Sequence, residues 1–205
     1  MLKKYLQEKN FHKVIEVAEK GETQDLQYPG LITNWKKYRY TAYKFLSLKE
    51  EQQRLAKELL FAGNFEYYQD LKELAKESQG ELYTNIKAEL KSKKGWNNRI
   101  FLRLIEEEND LEEILAFVRD NPRYIENYAE KLVKPFKEDV IEIYKGLIHS
   151  AASTSSNRRD YQGVCQIIKR YKKIAGKQKQ EEVINELNGL YKKRPAFIDE
   201  LGKIK

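Results

Sequence analysis

Four short polar turns, each followed by an amphipathic helical pattern, constrain the fold of this chain more than any other feature. In every case an Asn or Asp directly precedes an apolar or aromatic residue, after which apolar side chains recur with the 3.6-residue period of an α-helix. Asn and Asp suit a helix start because their side chains accept hydrogen bonds from the free N–H groups of the first turn. The four pairs are Asn10-Phe11, Asn64-Phe65, Asp110-Leu111 and Asp160-Tyr161, and the apolar openers are 54, 46 and 50 positions apart. This spacing predicts helices that begin at these residues and occupy equivalent places in successive layers.

Further helical patterns fill the segments between the turns. They cover residues 31–46, 50–61, 82–90, 96–106, 124–133 and 136–149, and a closing helix is predicted at 196–204 with Phe197, Leu201 and Ile204 turned inward. About three helices then fall in each repeat, which is longer than the ~34-residue, two-helix tetratricopeptide unit. We therefore predict an all-α fold, and within it an irregular helical-repeat solenoid of the tetratricopeptide-like α-α superhelix type. A helical bundle without repeats is the alternative.

The composition is that of a helical protein. Charged residues make up 35% of the chain, and there are only 10 Gly and 4 Pro. The single cysteine excludes an intramolecular disulfide, and nothing points to an oxidising compartment. Because no apolar run is long enough for a signal peptide or a membrane span, we expect a cytoplasmic protein that does not enter a membrane.

The net charge of +7 lies entirely at the C-terminal end. Residues 1–157 contain 26 basic and 26 acidic side chains, whereas residues 158–205 contain 13 and 6. The composition also changes at the polar run SAASTSSNRRD, which covers residues 150–160. We therefore predict a charge-neutral helical-repeat array over 1–152, a mobile polar loop over 153–160, and a basic helical cap over 161–205 that continues the array.

The C-terminal block includes the segment Tyr191-Lys192-Lys193-Arg194-Pro195-Ala196. It resembles the tail of bacterial SWIM zinc-finger proteins, in which a zinc-binding module precedes a helical-repeat region that ends in a Tyr-x-x-Arg-Pro-Ala-like segment. The resemblance covers the closing segment and the helices just before it, and it implies a helical-repeat region with DNA or protein partners. The zinc ligands of that family, a Cys-x-Cys followed by a Cys-x-His, have no counterpart in a chain with one cysteine, so no metal is expected here.

Only three apolar side chains, those of Leu2, Tyr5 and Leu6, precede the first polar turn. They form a short helical stub compared with the patterns that precede the other turns. We expect them to leave an apolar edge uncovered, and we expect the chain to be the helical part of a longer protein whose upstream segment covers that edge.

No pattern in the chain indicates catalysis. The residues that most readily bind zinc or attack a substrate are His12, His149 and Cys165, and they are too scattered to form a zinc site. Cys165 lies on the apolar stripe of its helical pattern, where a buried structural thiol is the expected role. No Gly-rich phosphate loop is present, and the acidic clusters at 106–108 and 112–113 read as solvated surface. We expect neither an enzyme nor a cofactor.

The stretch NWKKYRYTAYKF, residues 34–45, is the first candidate binding site. Helical geometry places Leu31, Trp35, Tyr38, Ala42 and Phe45 on one stripe, which we assign to the core. It turns Tyr40 and Tyr43 to the side that carries Lys36, Lys37 and Lys44. Packing between helices, a protein-binding surface and a platform for stacking nucleic-acid bases are the three interpretations of this cluster, and we favour them in that order.

The basic run KRYKKIAGKQK is the second candidate, with Lys169, Arg170, Lys172 and Lys173 flanking an apolar stripe. These side chains could neutralise nucleic-acid phosphates. They could equally form an ordinary solvated face whose cations favour the helix C-terminus. The function that the whole sequence favours is a non-enzymatic helical-repeat scaffold that binds a protein through the concave face of a solenoid. Nucleic-acid binding by the basic C-terminal quarter is the alternative.

Overall fold

The computed structural model describes residues 2–92 and 98–204, and the regular elements in these two segments are helices without any strand. The all-α prediction is therefore confirmed. The chain divides into two compact units, Met1–Asn109 and Asp110–Lys205. The division follows Asn109 and lies far from residue 158, where the composition becomes basic.

The first unit contains seven described α-helices. They are α1 (Leu2–Gln7), α2 (Phe11–Gln24), α3 (Pro29–Leu46), α4 (Lys49–Phe61), α5 (Tyr67–Ala75), α6 (Gln79–Ser92) and α7 (Asn98–Glu107). Each helix packs against the next along the chain. Contacts also link alternate helices: the ring of Tyr40 on α3 meets that of Tyr67 on α5 at 4.8 Å. The first two residues of the helix predicted at 96–106 lie outside the described residues.

Two of the four predicted helix starts are confirmed at the residues named. Phe11 opens α2 and Leu111 opens α8 (Leu111–Asp120), and the preceding side chains cap them. Asn10 accepts a hydrogen bond from the N–H of Lys13 at 3.2 Å, and Asp110 accepts one from Glu113 at 3.1 Å. Such caps depend on local backbone geometry alone, which explains why the sequence predicts them well.

The start at Asn64-Phe65 is corrected, because α5 begins at Tyr67. The amide of Asn64 does not cap this helix; it turns back and donates to the carbonyl of Leu59 at 3.2 Å, which closes the preceding helix. Phe65 is buried in the intervening turn, 5.5 Å from the ring of Tyr68. Phe65, which was predicted to open the helix, therefore packs in the turn that precedes it.

The second unit continues from α8 with five more described helices. They are α9 (Ile125–Leu132), α10 (Lys137–Thr154), α11 (Arg158–Ala175), α12 (Lys177–Leu190) and α13 (Pro195–Gly202). Neighbours in sequence pack together here as well, and α11 contacts both α12 and α13. The helix predicted at 136–149 is thus confirmed and runs five residues further, to Thr154.

The polar loop predicted over 153–160 is corrected to residues 155–157, because helices occupy both of its ends. The Ser155 hydroxyl donates to the carbonyl of Ala151 at 2.7 Å and thereby extends the hydrogen bonding of α10. Asn157 then caps α11, accepting from the N–H of Asp160 at 3.1 Å, while Asp160 accepts from the N–H of Ser156 at 3.1 Å. This reciprocal capping starts α11 at Arg158, three residues before the predicted opener.

The closing segment that carries the SWIM resemblance has a clear structural role. Arg194 donates to the carbonyls of Ala152 and Ser155, at 3.1 and 2.9 Å, and its guanidinium lies over the ring of Tyr191. Pro195 opens α13, whose Phe197 stacks on Tyr161 with ring centres 4.7 Å apart. Phe197 and Leu201 are buried as predicted, whereas Ile204 is only half-buried beyond the end of the helix.

Candidate interaction surfaces

Tyr40 and Tyr43, which were predicted to lie off the core stripe of α3, are buried in the structure. Both side chains are buried, with 4% and 6% of their surface exposed, and burial raises the pKa of both phenols. The Tyr40 hydroxyl accepts a hydrogen bond from the Gln52 amide at 3.0 Å. Because neither ring faces solvent, neither can stack on a base or contact a partner in this state. Their burial agrees with packing between helices, the interpretation that we favoured for this cluster.

The three lysines of the same cluster are engaged within the first unit. Lys36 pairs with Glu58 at 2.7 Å, Lys37 with Glu66 at 3.3 Å and Lys44 with Asp70 at 3.6 Å. Their carboxylate partners lie on α4, on α5 and at the residue just before α5. This side of α3 therefore faces the following helices, and its charges are matched there.

On the opposite side of α3, the stripe that we assigned to the core is only partly buried. Ala42 is buried and Trp35 and Tyr38 are half-buried, but Leu31 and Phe45 are 45% and 65% exposed. The reason is that α3 packs against α2 on one side and α4 on the other, so that two faces of the helix share the burial.

An apolar groove, which we call the α3 groove, runs along this side. Its lining residues are Leu2, Lys3, Val17, Trp35 and Tyr38, and its volume is about 330 Å³. Leu2 is itself buried, at 6% exposure, while Tyr5 and Leu6 are half-buried. The predicted apolar edge at the N-terminal helices is thus partly covered by the chain and partly open.

The basic cluster of α11 is exposed only in part. Lys169, Arg170 and Lys173 face solvent, and Lys172 is half-buried near the end of the helix. The Arg170 guanidinium pairs with Glu126 on α9 at 2.5 Å. For Lys169 and Lys173, no carboxylate of the described segments lies within ion-pair distance. Of the four predicted cations, Lys169 and Lys173 are therefore exposed and outside any ion pair of the described residues, whereas Arg170 is paired.

A groove between α10 and α12, the α10–α12 groove, was not found from the sequence. It measures about 450 Å³ and is lined by four carboxylates and two lysines, with Tyr171 at its floor. Three of the carboxylates, Glu138, Asp139 and Glu142, lie on α10, and the fourth, Glu182, lies on α12. The acidic residues of each helix are visible in the sequence, but only the packing of the two helices brings them together.

The candidate catalytic and metal residues remain isolated where the structure describes them. Cys165 is buried, and burial raises the pKa of its thiol to about 11, which suppresses the reactive thiolate. His149 lies 3.1 Å from Glu186 on the surface. Within the described residues, 2–92 and 98–204, no three His, Cys, Asp or Glu side chains are grouped so that they could hold a metal ion. No described helix combines the length and apolar character of a membrane span.

The described residues thus define an all-helical protein with two compact units, an apolar groove on the first and an acidic groove on the second. No protein-family model, no curated protein and no solved structure matches this chain.

Proposed function

We propose that this chain is a non-enzymatic helical-repeat scaffold that binds a protein partner, and that each unit is a short α-α repeat array. The packing within each unit supports this proposal, because every helix contacts the next and alternate helices also meet, as α3 and α5 do. Stacking of this kind, in which each helical hairpin is stabilised by its neighbours, is how solenoid repeats bury their apolar faces.

The observation that carries the binding proposal is the α3 groove together with two exposed apolar side chains on the same stripe of α3. Trp35 and Tyr38 are half-buried within it, and Leu31 and Phe45 lie exposed at either end of the same helical stripe. Trp and Tyr contribute disproportionately to protein–protein binding because they supply large apolar area at low entropic cost. Apolar side chains grouped in this way are more typical of an interface than of ordinary surface.

The resemblance to SWIM zinc-finger proteins belongs to this proposal as a hypothesis about ancestry. Tyr191, Arg194 and Pro195 tie α12, α13 and the end of α10 together. On this interpretation the segment closes a repeat array, and its sequence pattern follows from packing rather than from contact with a ligand.

The proposal is tested by capturing partners with the tagged full chain and with a Leu31→Ser/Phe45→Ser variant, each with and without nuclease. Phe45 also stacks on Phe11 with ring centres 4.8 Å apart, so a thermal melt must first show that the variant is folded. The folded variant should lose at least about tenfold of the nuclease-resistant partners, as expected when interface anchors are removed. The matched control is Leu26→Ser/Leu190→Ser, which removes two other leucines that are 71% and 66% exposed.

Equal capture by all three proteins would refute the α3 groove as the binding surface. Loss of every partner on nuclease treatment would instead support the alternative function, nucleic-acid binding. That alternative is favoured by one observation, the exposure of Lys169 and Lys173 on α11.

A further inference from the structure

Two ion pairs connect α10 and α12 across the α10–α12 groove. Glu138 pairs with Lys179 at 3.0 Å, and Lys145 pairs with Glu186 at 2.7 Å. Both pairs join residues that are 41 positions apart, so the two helices keep one register along the groove. Further charged residues lie between these two ion pairs on both helices.

Between the two ion pairs, each helix carries a glutamate, Glu142 on α10 and Glu182 on α12. The 41-residue offset places Glu142 of α10 opposite Val183 of α12, beside Glu182. Glu142 and Glu182 are exposed and both line the groove. The residues that the structure describes offer neither carboxylate an ion-pair partner. Lys145 and Lys179 line the same groove, but they are paired with Glu186 and Glu138 and form no ion pair with these two glutamates.

The floor of the groove supplies a second, independent observation. Tyr171 of α11 is 1% exposed and packs on Tyr144, and it lines the groove between the two acidic walls. Burial raises the pKa of its phenol, and the carboxylates of Glu182, Glu186 and Glu138 raise it further. Its hydroxyl forms no hydrogen bond with the described residues and is not among the fully buried polar atoms that lack a partner, so it can be reached from the groove.

We propose that the α10–α12 groove binds a lysine or arginine side chain of a protein partner, with the cationic group between Glu142 and Glu182 and donating to the Tyr171 hydroxyl. Glu182 accepts one hydrogen bond, from the Gln178 amide at 3.2 Å, and a guanidinium or ammonium group would supply further donors and the positive charge that pairs with both carboxylates. The cavity volume of about 450 Å³ accommodates such a side chain. The inference rests on the proposed function in that the cation is taken to belong to a protein.

The charge of the whole chain makes this site selective. The net charge is +7, so a basic peptide is repelled in general and attracted only where carboxylates are in local excess. Of the four groove carboxylates, Glu138 pairs with Lys179 and Asp139 pairs with Arg119. Glu142 and Glu182 have no ion-pair partner among the described residues and give the groove its local negative charge. A basic segment is therefore the partner chemistry that fits this side of the second unit.

The test is a titration of the full chain, followed by NMR of its backbone amides, with a blocked peptide of alternating Gly and Arg. The same peptide with Ser in place of Arg is the ligand control. We expect shifts at the groove residues of α10 and α12 and at Tyr171 with the Arg peptide alone. Glu142→Gln/Glu182→Gln should weaken binding about tenfold or more, and Tyr171→Phe should weaken it a few-fold.

The matched control is Glu112→Gln/Glu130→Gln, which changes the net charge equally at two exposed glutamates outside the groove. It should bind like the wild type. Both glutamates are exposed and outside any ion pair of the described residues, so Glu142→Gln/Glu182→Gln should be about as thermally stable as the wild type, which separates lost binding from lost folding.

Three results would overturn the inference: no shifts in the groove, equal weakening by both Gln pairs, or full competition by spermidine at the same concentration. The last would assign the site to a small polyamine. Because a defined peptide is used, these outcomes are independent of the capture experiment. Partners lost with Leu31→Ser/Phe45→Ser but kept with Glu142→Gln/Glu182→Gln would leave the scaffold function intact and refute this groove alone.

Discussion

At the scale of single residues, Trp35 shows how a side chain holds two helices at close distance. Its indole N–H donates to Asp25 at 2.7 Å, just beyond the end of α2. The flat ring lies directly over Gly21, where an added Cβ would come within 2.3 Å of the ring atoms. The close approach of α2 and α3 at this point therefore requires glycine, for reasons of space alone.

We predict that Gly21→Ala destabilises the protein by about 1–3 kcal/mol, the usual cost of overpacking, even though Ala favours a helix by about 1 kcal/mol. The matched control is Gly146→Ala in α10, where nothing lies within 4 Å of the added Cβ. That variant should be neutral or more stable. Urea denaturation followed by circular dichroism measures both, and a Gly21→Ala protein as stable as Gly146→Ala would contradict the packing described here.

At the scale of elements, the starts of the helices depend on their caps. Asn10 and Asp110 cap α2 and α8 in the predicted way, whereas α11 uses Asn157 and Asp160 together. The sequence pattern predicts Asp160 as the cap of this helix. Its carboxylate instead reaches back from the first turn of α11 to the backbone of Ser156, which makes Asn157 the cap.

We predict that Asn157→Ala costs about 1 kcal/mol and frays the first turn of α11, because it removes the acceptor for the Asp160 N–H. The control is Asn185→Ala, an exposed position inside α12, where Ala should be neutral or slightly stabilising. Amide hydrogen exchange at residues 158–161 reports the fraying directly. Unchanged protection there in Asn157→Ala would show that the cap does not hold the start of α11.

At the scale of the whole molecule, the distribution of charge along the sequence gives a misleading impression of a basic surface. Some cations of residues 158–205 are paired with carboxylates that lie outside this segment. Arg170 meets Glu126 and Lys179 meets Glu138, both in the charge-balanced part of the chain. The excess of positive charge in the C-terminal quarter is therefore partly compensated within the second unit.

We predict no saturable binding of duplex DNA at ~50 mM salt by the cluster of Lys169, Arg170, Lys172 and Lys173. Arg170 is already paired with Glu126, and the acidic α10–α12 groove on the same unit repels phosphates. Fluorescence anisotropy at ~50 and ~200 mM salt tests this. Four phosphate contacts would give a logarithmic salt slope of about −3.6, a fall of roughly a hundredfold, which the fourfold Gln variant would flatten. Observation of that slope would favour nucleic-acid binding over the protein scaffold.

The sequence by itself determined the features that depend on local interactions. The 3.6-residue patterns predicted an all-helical chain, and the side chains of Asn10 and Asp110 predicted two helix starts to the residue. The apolar stripe of α11 correctly placed Cys165 in the interior. In each case the decisive contacts lie within one turn of helix or on one helical face, so a short stretch of sequence contains the necessary information.

Only the tertiary structure decided which face of a helix meets which neighbour. Tyr40 and Tyr43 are buried because α3 lies between two helices, and an amphipathic pattern that assumes one buried face cannot reveal a second. Glu142, Glu182 and Tyr171 belong to three different helices and line one groove because those helices pack together. Long-range pairing is set by the packing of whole elements, whose free energy is spread over many side chains and is not written in any local spacing.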